Sequence, residues 1–136
     1  MRLRKYHGLG NDFLILFDLD GAQPVDAATV AAVCDRHRGV GADGLIRVTA
    51  GDLGSIGSDV TMELRNADGS RAETSGNGLR CVARAVVDAG LVAGPDLVIS
   101  TDVGDRRATV GGDGYVSVDM GHVVVVEPKG QRTDLG

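Results

Sequence analysis

The residues 66–81, NADGSRAETSGNGLRC, include residue types that could bind an anion. Their centre, SGNG at 75–78, comes just before an apolar run of helical length. The first turn of a helix has backbone N–H groups without a helical partner and a partial positive charge, so it binds carboxylates and phosphates. Gly76 and Gly78 would let a ligand approach the backbone, and Asn77 would add a side-chain donor. The stretch therefore predicts a carboxylate site at a helix tip.

The same stretch also has a structural interpretation, in which Ser75 is the N-cap of the helix and the glycines form turns. Two further glycine-rich segments, HGLGNDF at 7–13 and DRHRGVGADG at 35–44, carry polar groups. Three such loops in one small domain suggest a single site that all of them line. Structural alternatives stay open for five polar residues of these loops: a solvated helix end for Asp35, Arg36 and His37, a turn for Asp43, and an ordinary strand position for His7.

The segment GNGLRCVARAVVDAG predicts a helix that begins at Gly76 and ends at Gly90. Apolar residues cover most of its circumference. The polar residues recur every three or four positions on a narrow stripe: Asn77, Arg80, Arg84 and Asp88. A helix of this kind is buried on most sides. Because many short strand-like segments surround it in the sequence, we expect an α+β domain in which a curved, mostly antiparallel sheet wraps around a central buried helix.

Another helix is predicted from about Ala27 to His37, with Asp26 as its N-cap and Gly39 just past its end. Strand patterns occupy eight segments: Leu3 to His7, Phe13 to Leu19, GLIRVTA, SDVTMELRN, DLVIST, RRATVGG, YVSVDMG and HVVVV. No regular helical crossovers separate these strands, so a doubly wound parallel sheet is not expected. The tail EPKGQRTDLG has the composition of a linker. We expect one domain over residues 1–122, followed at 123–136 by a final strand and a linker.

Composition narrows the class of protein. A chain of 136 residues with 43% hydrophobic and 24% charged residues is typical of one folded domain. The net charge of −5 argues against a nucleic-acid-binding protein. No apolar run reaches the roughly 18 residues of a membrane span, so we expect a cytoplasmic protein without a membrane partner. Cys34 and Cys81 show neither metal-site nor disulfide spacing, and both are expected to be buried, reduced and structural.

Four segments together resemble diaminopimelate epimerases, in that family's order and spacing: KYHGLGNDF, CDRHRGVGADGL, NADGSRAETSGNGLRC and VSVDMG. The resemblance runs from Lys5 to about Gly121. It implies a protein of two similar halves, each a curved sheet around a helix, with the active site in the cleft between them. It also implies an isomerase of lysine and cell-wall biosynthesis that inverts the α-carbon of LL-diaminopimelate to give the meso form, with no pyridoxal phosphate and no metal.

That reaction needs two proton-transferring groups, one on each face of the α-carbon, and the family uses two cysteines. The resemblance implies that Asn11 and Asn66 bind substrate, and that Gly76 and Asn77 hold it at the helix tip. Ser75 matches the first catalytic cysteine. This is a departure from the family, because a serine hydroxyl hardly ionises near neutral pH and is a poor base for an α-proton.

Neither cysteine of this chain replaces the missing thiol. Cys81 lies six residues farther along the helix, a rise of about 9 Å, and Cys34 belongs to another helix. The resemblance implies that the second cysteine belongs to a second homologous half, and residues 121–136 contain no matching motif. We therefore expect the chain alone to be inactive. Its uncovered cleft face would favour a homo-oligomer.

Two alternatives to the epimerase remain open. One is a proline or hydroxyproline racemase, which would share the fold and a cysteine-based mechanism. The other is a non-catalytic binding or assembly module built on the same half-fold, which the serine at position 75 favours.

Overall fold

The computed structural model describes residues 3–8, 10–51, 57–113, 115–120, 124–127 and 131–135. Within these ranges the strands and helices follow in the order β1 (Leu3–Gly8), β2 (Asn11–Phe17), α1 (Ala27–Cys34), β3 (Gly44–Ala50), β4 (Val60–Asn66), α2 (Gly76–Asp88), β5 (Asp96–Thr101), β6 (Gly104–Val110), β7 (Val116–Asp119), β8 (Val124–Glu127) and β9 (Gln131–Leu135). In the part of the chain so described, neither helix is long and apolar enough to cross a membrane.

The described strands form one sheet in the order β8-β7-β6-β5-β4-β3-β2-β1-β9. The pairs β2–β3 and β4–β5 are parallel, and the other pairs are antiparallel. Helix α2 contacts β1 and β2 as well as β6 and β7, which lie far apart in this order. The sheet must therefore curve around the helix. The predicted α+β class, with a curved, mostly antiparallel sheet around a central buried helix, is confirmed.

Helix α2 begins at Gly76, as predicted, and ends at Asp88. Gly90 follows with a φ of 73°, the left-handed conformation that commonly ends helices. The hydrophobic side chains on its inner faces are fully buried: Leu79, Val82, Ala83, Ala85 and Val86. Most of the stability of such a helix comes from this packing and not from its intrinsic propensity. The position of its N-terminus is therefore set by the core.

The continuous apolar run of β2 is explained by burial on both faces of the sheet. Phe13 and Ile15 belong to the core around α2, whereas Leu14 and Leu16 belong to a second core that includes residues of α1. Both cysteines of the chain are buried and reduced, as predicted. Burial raises the pKa of the Cys34 thiol, which keeps it protonated and unreactive.

Helix α1 ends at Cys34, three residues earlier than predicted. Asp35 adopts an extended conformation, with φ −62° and ψ 121°, and its carboxylate accepts hydrogen bonds from the backbone N–H groups of His37 and Arg38. This local turn competes with a further helical turn, as aspartate side chains commonly do. The predicted N-cap, Asp26, is confirmed.

The tail was expected to be a linker after a final strand, but it contains β9, which pairs with β1 in antiparallel register from Leu3–Leu135 to His7–Gln131. Its sequence QRTDL has no clear alternation of polar and apolar residues, so side-chain pattern did not indicate a strand. The backbone of β1 otherwise offers an unpaired edge there, and pairing along an edge needs no apolar pattern. The other strand boundaries lie within a few residues of the predicted ones.

We expect Leu79→Ala to lower the free energy of unfolding by about 3 kcal/mol, since it leaves a cavity in the core around α2. Leu91→Ala is the matched control, because Leu91 is 40% exposed whereas Leu79 is fully buried. Its effect should stay below about 1 kcal/mol. Urea denaturation followed by circular dichroism measures both. Equal effects of the two substitutions would contradict the central position of α2.

Candidate active site

Four strand ends and one helix N-terminus meet at one end of the sheet. Strand β1 ends at Gly8, which pairs with Asn11 at the start of β2. Gly44 at the start of β3 pairs with Asn66 at the end of β4. Because β2 and β3 run parallel, their first residues lie at the same end of the sheet. Helix α2 joins this group through a hydrogen bond from Asn77 to Asn11. The three glycine-rich loops therefore do come together.

Ser75 is the N-cap of α2. Its Oγ accepts a hydrogen bond from the backbone N–H of Gly78 at 3.0 Å, and its extended backbone, with φ −109° and ψ 156°, is usual for this position. The N-cap role predicted for Ser75 is thus confirmed, whereas Gly76 and Gly78 belong to the first turn of α2 itself. Gly78 packs tightly here, since a Cβ on it would lie 3.2 Å from Ser75 Oγ. None of the described hydrogen bonds joins Ser75 to a basic side chain that could deprotonate it.

The segment before the cap is tethered to the turn between β5 and β6. Thr74 Oγ1 donates to a carboxylate oxygen of Asp102 at 2.6 Å, and this hydrogen bond lowers the pKa of Asp102. Strands β4 and β5 pair only near Val60 and Thr61 and then diverge. A cavity of ≈ 350 Å³ lies in the gap, lined partly by Arg71 and Asp102. Its lining includes none of the residues predicted to bind substrate.

The predicted asparagines have different environments. Asn77 Nδ2 donates to Asn11 Oδ1 at 2.6 Å, so these two side chains are in direct contact. Asn66 lies at the same end of the sheet, but its Nδ2 donates to Ser70 Oγ at 3.0 Å. Ser70 in turn donates to Asp68, which completes a turn after β4. The structure thus brings Asn11, Asn77 and the N-terminus of α2 together and holds the Asn66 amide in its own turn.

A cluster of charged side chains lies next to Asn11, on β1, β2 and the loop before β3. Both guanidinium NH groups of Arg36 donate to the buried carboxylate of Asp12, at 3.1 and 2.8 Å. Lys5 Nζ lies 3.2 Å from the same carboxylate and donates to the carbonyl of Gly41. The hydrogen bonds from Arg36 hold the pKa of Asp12 well below its usual range, although burial opposes this. Arg36 also donates to Asp43 at 3.1 Å.

The structure resolves the alternatives left open for this loop. Arg36 is half-exposed, yet it forms ion pairs and is not simply a solvated helix end. Asp43 accepts hydrogen bonds from the backbone N–H of Asp12 and from Asn11 Nδ2, so it does more than stabilise its own turn. Asp12 and Lys5 were missed in the sequence, because nothing in their local pattern indicates a partner 24 or 36 residues away.

An open concavity of ≈ 370 Å³ lies over this cluster. Its lining consists of His7, Gly8, Gly10, Asn11, Asp12, Arg36 and Asp43. The size suits a small amino acid, and the polar lining suits a charged one. Among the residues that the structure describes, no group of three or more His, Cys, Asp or Glu side chains could hold a metal ion. Within this lining, Asn11 and Arg36 can donate to an anionic group and Asp43 can accept from a cationic one.

Comparison with known sequences identifies clear relatives. A family model described as diaminopimelate epimerase matches residues 3–126. The diaminopimelate epimerase of Thermobifida fusca is 46% identical over 142 residues, which cover 97% of this chain and 52% of that protein. The diaminopimelate epimerase of Mycobacterium avium is 42% identical, with 89% of this chain and 47% of that protein covered. The chain therefore spans about half the length of the curated relatives that it matches.

Comparison with solved structures supports the fold. A hydroxyproline epimerase from Agrobacterium vitis, solved with bound trans-4-hydroxy-L-proline, matches with a TM-score of 0.63 and 15% sequence identity. The match covers 87% of this chain and 40% of that one. At so low an identity the likeness concerns the fold alone.

We expect Asp12→Asn to lower the free energy of unfolding by about 2 kcal/mol at neutral pH, because it removes the anion that Arg36 and Lys5 contact. The effect should depend on pH. The pKa of Asp12 is lower in the folded protein than its value of about 3.9 in an unfolded chain. Its stabilisation is therefore fully present above that unfolded value and is lost as the pH falls through the folded one. Urea denaturation at neutral and acidic pH measures the change.

Two comparisons isolate the contribution of Asp12. The exposed Asp105 of β6 provides the control, and Asp105→Asn should change stability by less than about 0.5 kcal/mol. Other carboxylates with lowered pKa, such as Asp68 beside Ser70, are present in the native protein and in Asp12→Asn alike. Their contributions therefore cancel when the two free energies of unfolding are subtracted. The difference in the free energy of unfolding between the native protein and Asp12→Asn should become smaller as the pH falls. A difference that stays constant from neutral pH into strong acid would refute the ion-pair account.

Proposed function

Because the chain belongs to the diaminopimelate epimerase family, we propose that it forms one wall of an active site that inverts the α-carbon of LL-diaminopimelate to give the meso isomer. This would make it part of an isomerase of lysine and cell-wall biosynthesis that acts in the cytoplasm. The observation that carries the proposal is the contact of Asn11 with Asn77 at the N-terminus of α2, beside a residue in the position of the family's catalytic cysteine.

The wall binds substrate through neutral donors. The first backbone N–H groups of α2, at Gly76 and Asn77, meet the α-carboxylate, where the partial positive charge at the end of the helix stabilises the anion. The side chains of Asn11 and Asn77 contact the polar groups next to it, and Asn66 contributes from the end of β4. The same N–H groups stabilise the carbanion-like transition state, because negative charge spreads onto the carboxylate as the α-proton leaves.

Inversion requires one group to remove the α-proton while another delivers a proton to the opposite face, so the reaction takes up no net proton. A thiolate at position 75 would be stabilised by the helix N-terminus. The Ser75 hydroxyl has a far higher pKa than a thiol and accepts a hydrogen bond from Gly78. In this chain the position therefore caps the helix and orients ligand. A second homologous half supplies the opposite wall and one proton-transferring group, so two-base inversion requires the thiol that Ser75→Cys would introduce at position 75.

A non-catalytic binding module is the second candidate, and one observation favours it. Ser75 acts as a complete N-cap without a neighbouring base among the described contacts. Such a module would keep the ligand-binding tip of α2 and lack proton transfer. The likeness to a hydroxyproline epimerase concerns the fold alone, so the structure offers no specific support for a proline-type racemase.

We expect the chain alone to catalyse no exchange of the α-proton of LL-diaminopimelate. Joined to the remaining half of the Thermobifida fusca relative, the Ser75→Cys variant should exchange it at least about a hundredfold faster than the serine form, the usual contribution of a positioned base. Proton NMR in deuterated water measures the exchange. Ser117→Cys is the control, since it adds a thiol on β7, a strand that none of the loops meeting at the helix tip adjoins.

Both candidate functions, the enzyme and the binding module, require the chain to bind LL-diaminopimelate, so a binding measurement tests them together. The serine form should bind LL-diaminopimelate, and the bound ligand should shift the backbone amide signals of Gly76 and Asn77. Binding without exchange in the Ser75→Cys hybrid, with both halves folded, would favour the module over the enzyme. A folded chain whose helix-tip signals do not respond to the amino acid would contradict both.

A further inference from the structure

The polar contacts beside the helix tip form one continuous chain. Arg36 donates to Asp43 at 3.1 Å, Asn11 Nδ2 donates to Asp43 at 3.3 Å, and Asn77 Nδ2 donates to Asn11 Oδ1 at 2.6 Å. The backbone N–H of Asp12 donates to the same oxygen of Asp43 that receives Asn11, at 3.1 Å. These contacts link the charged pair of Arg36 and Asp43 to the first turn of α2. The reaction proposed above gives Asp43 no role.

The chemistry of these groups allows only one direction of donation. A carboxylate accepts hydrogen bonds and cannot donate, whereas a side-chain amide has one donating end and one accepting end. The donating end of Asn11 must therefore face Asp43. Its oxygen is then turned toward Asn77, which must donate to it. One carboxylate thus determines the orientation of two amides in series, and amide orientation is a property of the whole network.

Asp43 is itself held from several sides. Arg36 binds one of its oxygens, and its backbone N–H donates to the carboxylate of Asp12 at 2.9 Å. At the other end of the chain, Asn77 packs against β1, where a Cβ on Gly8 would lie 3.6 Å from Asn77 Cβ. An acceptor that is fixed in this way can orient a neighbour without moving toward it.

We propose that Asp43 is a positioning residue that sets the orientation of the Asn11 and Asn77 amides, so that the wall offers N–H donors to an anionic group of its ligand. The orientation itself depends only on the contacts above. Its consequence for substrate rests on the proposed function. With Asp43 in place, the oxygen of Asn11 is used by Asn77 and is kept away from a carboxylate bound at the helix tip. If Asn11 were reversed, its oxygen would turn away from Asn77, and the Asn77 N–H that now binds it would lose its acceptor.

Two substitutions at position 43 distinguish positioning from mere charge pairing. Asp43→Ala removes the acceptor and should release both amides. Asp43→Asn removes the charge that Arg36 contacts, but the backbone N–H of Asp12 can only donate. Arg36 also only donates, but it keeps two hydrogen bonds to Asp12, whereas the oxygen of the introduced amide can accept from both Asp12 and Asn11. We therefore expect that oxygen to face Asp12 and Asn11 and the orientation to persist. Charge pairing alone would be lost equally in both variants. Asp105→Ala on the exposed face of β6 is the control.

Side-chain amide signals in ¹⁵N–¹H NMR report the orientation. The chain has three asparagines and two glutamines, so few signals need assignment. In Asp43→Ala we expect the Asn11 and Asn77 signals to move, while Asn66, bound to Ser70, stays unchanged. In Asp43→Asn all three should stay near their native positions. The affinity for LL-diaminopimelate should fall roughly tenfold in Asp43→Ala, the effect of one hydrogen bond to a charged group, and by less than about twofold in Asp43→Asn.

The outcomes separate this inference from the proposed function. Unmoved Asn11 and Asn77 signals in a folded Asp43→Ala protein, or equal shifts in both variants, would overturn the positioning role. If the signals behave as expected but the native protein does not bind LL-diaminopimelate, the positioning role stands and the proposed function fails. Should Asp43→Ala not fold, Asp43→Ser replaces it, because its short hydroxyl keeps the site hydrated but does not reach Asn11.

Discussion

The burial of α2 inside the curved sheet is the constraint on which the rest of the structure depends. The helix contacts strands from β1 to β7, so its axis cannot shift without disturbing most of the core. Its first turn is carried to the same end of the sheet as the ends of β1 and β4 and the starts of β2 and β3. The candidate site lies there because the loops that join these elements converge on the helix tip. The packing of α2 in the core therefore determines the geometry of the candidate site at its N-terminus.

Much of this arrangement could be predicted from the sequence, since it follows from local patterns. The apolar circumference of α2 predicted its burial, and the serine and glycines around position 76 predicted its start. The continuous apolar run from Phe13 predicted the strand β2, although not the burial of both its faces. These features depend on residues that are close together in the chain, where periodicity and capping rules apply.

The remaining features depend on partners that only the fold brings together. The ion pair between Asp12 and Arg36 joins residues on different elements, and nothing in their two segments indicates that these side chains pair with each other. The strand β9 forms because an edge of β1 is available, and its own residues do not indicate it. The early end of α1 results from the competition of Asp35 for nearby backbone N–H groups. Sequence reasoning indicated the loops that meet at the helix tip but not the network of contacts that supports them.

The composition of the first turn of α2 has a thermodynamic consequence. Two of its first three residues, Gly76 and Gly78, are glycines, which lose more conformational entropy on folding than any other residue. Each costs about 0.5–1 kcal/mol relative to alanine within a helix. The end of the helix that is most exposed to a ligand is therefore its least stable part. A carboxylate bound there would order the turn and interact favourably with the helix dipole, so ligand occupancy and the folding of this tip are linked equilibria.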